Sequence, residues 1–177
     1  MSDTTLRLLI QQIRLESEDI ASFDLVAEDG HPLPAFVAGA HIGVQVPGGP
    51  RRSYSLVNAP AERGHYRIAV KREPDSQGGS AWFHETAHVG MALQVAPPLN
   101  DMALVEDAPL SVFIAGGIGI TPMLSMIARL QERGGPWQLH YSARTPRQMA
   151  FRAALQQLGA SGHGQVHLHF TGAGAAR

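Results

Sequence analysis

Three short stretches of this chain hold residues whose types and spacing could do chemistry. The first is Gly116-Gly117-Ile118-Gly119-Ile120-Thr121-Pro122, which follows the apolar run Leu110–Ala115. A buried parallel strand running into a glycine turn and then a helix leaves backbone N–H groups free at the positive end of the helix dipole, where an anionic ligand is favoured. Thr121 is placed to accept from one of those N–H groups, and Pro122 suits the first helical turn. The second stretch is Arg51-Arg52-Ser53-Tyr54-Ser55-Leu56, which sets a cation, an aromatic face and small hydroxyls along one strand. The third is Ser76-Gln77-Gly78-Gly79-Ser80, flexible glycines followed by Ser80 as a helix N-cap, a second anion site. Each stretch taken singly also fits an ordinary turn, strand or cap.

The elements that must position them follow from periodicity. Strand-like runs at Leu6–Ile10, Ile20–Val26, His41–Val46, Arg52–Val57, His65–Arg72 and Met91–Ala96 are punctuated by Asp29-Gly30, Pro47-Gly48-Gly49-Pro50 and other turn signals. A short helix is expected over about Ser80–His88. Many short strands with Gly/Pro punctuation predict a small antiparallel β-barrel. After a linker over about Asn100–Pro109 the period changes. Strand 110–115, helix 122–133, strand 137–142, a helix opening at Thr145-Pro146 and strand 166–170 spell βαβαβ, part of a doubly wound parallel sheet. The expected domains are residues 1–105 and 106–177.

Bulk properties exclude other classes of function. Charged residues make up 16% of the 177 and the formal net charge is −1, so nothing points to nucleic acid or an anionic membrane surface. No apolar run approaches the roughly 20 residues that cross a bilayer. The start, Met-Ser-Asp-Thr-Thr, has no signal pattern, and a cytoplasmic location is the default expectation. Cysteine is absent, which excludes disulfides, thiolate zinc sites and Cys-ligated iron–sulfur clusters from these residues. Among the nine histidines, His163, His167 and His169 are close in sequence, with His167 and His169 on one strand face. No carboxylate accompanies them, and no metal site is assigned.

A flavin needs a cation for its phosphate, an aromatic face for its ring and small hydrogen-bonding groups near N5 and O4, and the Arg-Ser-Tyr-Ser stretch supplies all three. The glycine loop reads Gly-Gly-x-Gly-x-Thr-Pro, which is not the Gly-x-Gly-x-x-Gly of classical dinucleotide folds, and no acidic residue ends the next strand. In this order, the three motifs resemble the phthalate dioxygenase reductase-like branch of the ferredoxin–NADP reductase superfamily, which includes reductases of vanillate demethylase systems. The resemblance runs from about Leu6 to Phe170. It implies a flavin-binding antiparallel barrel followed by an NAD(P)-binding α/β unit. It implies that Arg52 and the loop Gly78, Gly79, Ser80 hold the flavin phosphate, within a flavin-contacting strand from Arg52 through Ser53 to Leu56. By the same likeness Tyr54 packs on the isoalloxazine, Ser55 bonds the ring near N5, and Ala69, Val70 and Lys71 run beside it. Gly116, Gly117, Gly119 and Thr121 would face the nicotinamide, with Ser55 and Thr121 as the residues nearest the chemistry. Ser142 and Arg144 would bond the adenosine ribose, with Arg144 equally readable as a solvated arginine flanking a helix.

The implied cofactors are FMN, ahead of FAD, and NADH or NADPH. The implied electron acceptor is the oxygenase component of a Rieske-type aromatic ring oxygenase or demethylase. Members of the branch continue past this point, completing the nucleotide-binding sheet and adding a 2Fe–2S domain that this chain, without cysteine, cannot supply. The chain therefore reads as the first part of such a reductase, with its nucleotide-binding sheet incomplete. The alternative reading is a flavin-binding module without nicotinamide turnover.

Overall fold

A computed structural model describes residues 5–76, 78–160 and 164–172; Met1–Thr4, Gln77 and His163, named above, lie outside them. The chain runs β1 (Leu6–Leu15), β2 (Ile20–Ala27), β3 (His41–Gln45), β4 (Arg51–Ser55), β5 (Tyr66–Lys71), α1 (Gly79–Glu85), β6 (Ala92–Val95), β7 (Ser111–Gly116), α2 (Thr121–Arg133), β8 (Trp137–Ala143), α3 (Arg152–Ala160) and β9 (Gly164–Phe170). Strands β1 to β6 form one antiparallel sheet in the order β4-β3-β6-β1-β2-β5. It curls into a barrel-like shape that does not close, because its two edge strands, β4 and β5, approach each other without pairing. Strands β7-β8-β9 form a separate parallel sheet. The expected architecture, an antiparallel barrel followed by an incomplete parallel βαβαβ sheet, is what the chain adopts.

Alternation explains the barrel. Leu8 and Ile10 of β1, Phe23 and Leu25 of β2, Ile42 and Val44 of β3, and Ile68 and Val70 of β5 all turn inward. Phe83 of α1 plugs this core, edge-on to Phe23 at 4.9 Å and to Tyr54 at 5.3 Å. Strand β2 is buried along both faces, since Ile20 on its other face joins the second core. Ala38, Val57 and Ala69 do the same, packing in one cluster with Ile127, Leu139 and Tyr141 of the α/β unit. That shared apolar contact fixes the two sheets against each other.

The expected glycine turn is a 3-10 turn over residues 117–120. Three local expectations are corrected. Ile120, already helical at φ −64°, is the N-cap of α2. Thr121 therefore cannot cap; its hydroxyl turns back and donates to the Ile118 carbonyl at 3.0 Å. Likewise Gly78, not Ser80, is the N-cap of α1, and Ser80 lies inside the helix. Ser76 takes over the capping, its Oγ accepting from the Ala81 N–H at 3.2 Å. Finally, Thr145-Pro146 opens only a short 3-10 turn, and α3 starts at Arg152. The intervening Met149, Ala150 and Phe151 are drawn into the core, with Phe151 at φ +58°. A left-handed bulky residue costs on the order of 1 kcal/mol or more, which the burial of three side chains offsets.

Across β2 and β5, Asp24 accepts a two-pronged ion pair from Arg67 at 2.6 and 2.7 Å. Asp24 is only 7% exposed, so removing its partner strands a carboxylate away from water. The Arg67→Met variant should lose about 3 kcal/mol of unfolding free energy. Urea denaturation followed by circular dichroism checks this, and a loss within error of zero would mean solvent replaces the pair.

Candidate functional site

The seam between β4 and β5 is where the first two sequence motifs meet. Each of these edge strands pairs with another strand on one side only, and their second edges face the seam. A cleft of about 670 Å³ lies there, walled by Arg52–Ser55 of β4, Ala69–Lys71 of β5, Glu73, Asp75, Ser76, Gly79 and Ser80, and Ile118, Gly119, Thr121 and Pro122 at the start of α2. Of the residues singled out for a cofactor, Arg52, Ser53, Tyr54, Ser55, Ala69, Val70, Lys71, Gly79, Ser80, Gly119 and Thr121 are thus brought together.

Their contributions differ in kind. Arg52 has no carboxylate partner among the described residues. Its aliphatic stem lies so near Gly79 that a Cβ there would sit 3.3 Å from its Cγ, so the glycine lets the helix start and the arginine pass each other. Tyr54 is half-buried, and burial pushes its phenol above the ordinary value. Val70 and Ala69 send their side chains into the two cores, so they offer the cleft backbone. His84 ties α1 to this edge by a 2.9 Å bond between Nε2 and the Val70 carbonyl. Ser80 accepts from the Glu73 N–H at 3.1 Å, which folds the loop over the cleft's end. Leu56, by contrast, is fully buried in the barrel core, and Gly78 and Gly116 do not line either cleft.

A second cleft of about 350 Å³ adjoins the first at Lys71, which lines both, and across the glycine turn, where Gly117 faces one and Gly119 the other. It holds Asp19, Ser142, Arg144, Gln148 and Thr171. Gly117 has φ +53°, a conformation that side-chain-bearing residues adopt at a cost. Its carbonyl accepts from the Tyr141 hydroxyl at 3.0 Å, which pins the turn to the middle strand of the sheet. Ser142 donates to the Ala115 carbonyl at 3.2 Å, whereas Arg144 is exposed and without an ion-pair partner among the described residues.

Glu73, Asp75 and Gln148 belong to none of the three motifs and enter the clefts only because the chain folds around the seam; Ile118 and Pro122, inside the glycine motif, line the first cleft without having been expected to meet a cofactor. Periodicity also missed His140. His140 joins His167 and His169 on the uncovered face of the parallel sheet, its ring stacked 4.6 Å from that of His167 and its Nδ1 3.2 Å from His169 Nε2. A cross-strand pairing cannot be read from spacing alone. No group of three or more metal-ligating side chains converges among the described residues.

Burial holds the Tyr141 phenol up at about 12, while an unfolded tyrosine ionises near 10. Between those values the folded chain keeps a proton that the unfolded chain has released, so stability falls as pH rises through that window. Tyr66, also held at about 12, acts in the same sense. Unfolding midpoints in urea across pH 10 to 12 should therefore decline less steeply in Tyr141→Phe than in the unsubstituted chain; identical slopes would mean the phenol is ionised alike in both states.

Residues 113–174 match the family model of the oxidoreductase NAD-binding domain. Tetrachlorobenzoquinone reductase of Sphingobium chlorophenolicum is 49% identical over 166 residues, covering 94% of this chain and 51% of that protein. Phenoxybenzoate dioxygenase subunit beta of Ectopseudomonas oleovorans is 52% identical over 169 residues, covering 95% and 51%. Phthalate dioxygenase reductase, whose solved structure is described as modular, for electron transfer from pyridine nucleotides to a 2Fe–2S centre, superposes with a TM-score of 0.88 at 42% identity, covering 95% of this chain and 52% of that one. The chain spans about half the length of the curated relatives it matches. By sequence and fold, the chain is a homologue of the N-terminal part of the phthalate dioxygenase reductase and vanillate demethylase reductase group of ferredoxin–NADP reductase-like oxidoreductases.

Proposed function

We propose that this chain is the flavin- and nicotinamide-binding portion of an NAD(P)H-dependent reductase that passes electrons toward the oxygenase component of a ring-hydroxylating or demethylating system. The observation that carries this reading is the meeting of Arg52, Tyr54 and Ser55 with the Gly119–Thr121 turn in one cleft, continuous with a second cleft at Lys71. A bound flavin would accept a hydride from the dihydronicotinamide and release the electrons singly. The residues fit such a group: an arginine without a carboxylate partner among the described residues for a phosphate, a half-buried tyrosine for a ring face, and backbone of two strand edges for the polar rim. Arg52 and the start of α1 would hold the phosphate, Tyr54 would exclude water from one ring face, and Ser55 would bond the ring edge. Gly117, Gly119 and Thr121 would leave room for the nicotinamide, while Ser142 and Arg144 would receive the adenosine ribose of NADH or NADPH.

FMN is favoured over FAD because the carboxylates Glu73 and Asp75 line the cleft. A second phosphate carried past those carboxylates would be repelled. The functional division falls at residues 105 and 106, with the barrel-like part binding flavin and the remainder binding nicotinamide nucleotide. No described helix is long and apolar enough to cross a membrane, and we assign the chain to the cytoplasm.

Removal of the Arg52 charge by Arg52→Ala should weaken FMN binding by about 1.5–3 kcal/mol, the worth of a charge-assisted hydrogen bond. Quenching of flavin fluorescence on titration measures it, and no binding by the unsubstituted chain would refute the site. Recovery of FAD in place of FMN from the purified protein would refute only the choice of cofactor. The nicotinamide side calls for a different substitution. Valine at Gly117 would strain the backbone at φ +53°, whereas a side chain at Gly119 meets no atom within 4 Å. Gly119→Val should therefore leave FMN bound and slow its reduction by NADH and NADPH at least about tenfold in stopped flow. Equal rates would show that the glycine turn has no part in nicotinamide binding, the outcome expected of a flavin-binding module.

A further inference from the structure

The segment that joins the two sheets is held at both ends. Leu99, beyond β6, exchanges two backbone bonds with His41, at 2.8 and 2.9 Å, and His41 is the cross-strand partner of Ser55 on the cleft wall. The Asn100 side chain donates to the Ala38 carbonyl at 3.1 Å and accepts from the Met102 N–H at 2.9 Å. Gly39, at φ +89°, leaves no room for a side chain against the Met102 carbonyl and Met126 of α2. Leu104 then packs on the second core. At the far end Glu106 accepts from Arg129 of α2 through both carboxylate oxygens, at 2.8 and 3.1 Å, and meets Arg133 at 3.1 Å. Arg133 also reaches Asp107, at 2.9 Å. The bond from Arg129 holds the Glu106 carboxyl below its ordinary value, so this clasp is charged at neutral pH. Residues 99–107 thus form a strap from the barrel-like sheet to α2. A third cleft, of about 320 Å³, is lined by Phe36, Ala38 and Pro60 on the barrel side and by Glu106, Arg129 and Glu132 on the other. Open space therefore lies beside the clasp, where close packing would otherwise hold the helix.

We propose that Glu106 is a positioning residue for hydride transfer: its grip on Arg129 makes the strap fix how far the start of α2, with Gly119 and Thr121, stands over the flavin cleft. The proposal rests on the flavin and nicotinamide reading above. In the step concerned, a C–H bond of the dihydronicotinamide breaks and the hydrogen leaves with both electrons to form an N–H bond on the flavin. The nicotinamide is thereby oxidised and the flavin reduced by two electrons. Transfer needs the reacting atoms about 3–3.5 Å apart, and a displacement of about 1 Å caused far from the chemistry can cost about a hundredfold in rate. The flavin side of the cleft belongs to the barrel-like sheet and the nicotinamide side to the unit that carries α2, so their separation is what the strap controls. Arg129 lies about 12 Å along α2 from Thr121, on the same rigid helix. Apolar contact between the units is non-directional. A two-pronged guanidinium–carboxylate bond adds what that contact lacks, because it fixes orientation as well as distance.

The test uses the full 177-residue chain loaded with FMN and mixed with NADH in stopped flow. The variants are Glu106→Gln, Arg129→Gln, the two together, and the charge swap of Glu106→Arg with Arg129→Glu. Each single variant should lower the limiting rate of FMN reduction at least about fivefold, while FMN affinity and the urea midpoint stay unchanged. The two together should be no slower than either alone, as expected of two halves of one contact, and the charge swap should recover most of the rate. Hydrogen exchange, read without NADH, should quicken at least about tenfold in the single variants along the strap and at residues 117–121, and stay unchanged in β1 to β3. An unaltered limiting rate in Glu106→Gln, or unaltered exchange at residues 117–121, would overturn the positioning role and leave both cofactor sites standing. Slow reduction that the charge swap does not correct would overturn it as well. Failure of the unsubstituted chain to bind FMN, or of its bound FMN to be reduced by NADH, would overturn the reading above and the strap's role with it.

Discussion

The molecule depends on a sheet that does not close. In a closed antiparallel barrel every strand's backbone N–H and C=O can find a neighbouring strand, and no edge is left over. Here β4 and β5 stay apart, so two lines of backbone donors and acceptors face the same gap. Such an edge is ordinarily a liability. It is tolerable here because α1 covers one end, through Phe83 in the core and the bond from His84 to the Val70 carbonyl, and the start of α2 covers another. A planar, polar-rimmed ring is the kind of group that would complete the seam.

The seam would be an open groove without the second unit, and apolar contact holds that unit in place. Ile20, Ala38, Val57 and Ala69 lie on the outer surface of the barrel-like sheet yet are buried, because Ile127, Leu139, Tyr141 and their neighbours pack on them. At the edge of this contact Arg129 of α2 forks onto Glu106, at 2.8 and 3.1 Å, and Arg133 reaches Glu106 and Asp107, which lays the linker along the helix. These ion pairs are exposed and add little free energy. Their use is geometric, since they keep the helix start, and with it Gly119 and Thr121, over the cleft. The Tyr141 hydroxyl holds the turn from the opposite side through the Gly117 carbonyl.

Much of this was legible in residue order. Period-two alternation marked the barrel strands, and the switch to helical spacing after Pro109 marked the parallel unit. The glycine stretches and the Arg-Ser-Tyr-Ser stretch named residues most of which the fold brings to one cleft. The errors had one physical form. Thr121 and Ser80 look like N-caps because an N-cap is a local preference of about 1 kcal/mol, and here tertiary packing chose a neighbouring residue instead. The helix expected at Thr145 was displaced to Arg152 for the same reason, since burying Met149, Ala150 and Phe151 outweighs a good local start.

By itself, then, the sequence determined the elements, their two periods, the absence of any thiolate ligand, and the three stretches able to meet a flavin and a nicotinamide nucleotide. These are local properties, set by side-chain type and by spacing along one strand or helix. The tertiary structure alone decided that the sheet stops short of closing, that Gly117 and Gly119 face different clefts, that Leu56 belongs to the core, and that His41 stands across from Ser55. Each of those facts depends on which strand lies beside which, and strand pairing joins residues far apart in the chain. Such pairing is settled by burial of the whole apolar surface at once, so no short stretch of residues can announce it.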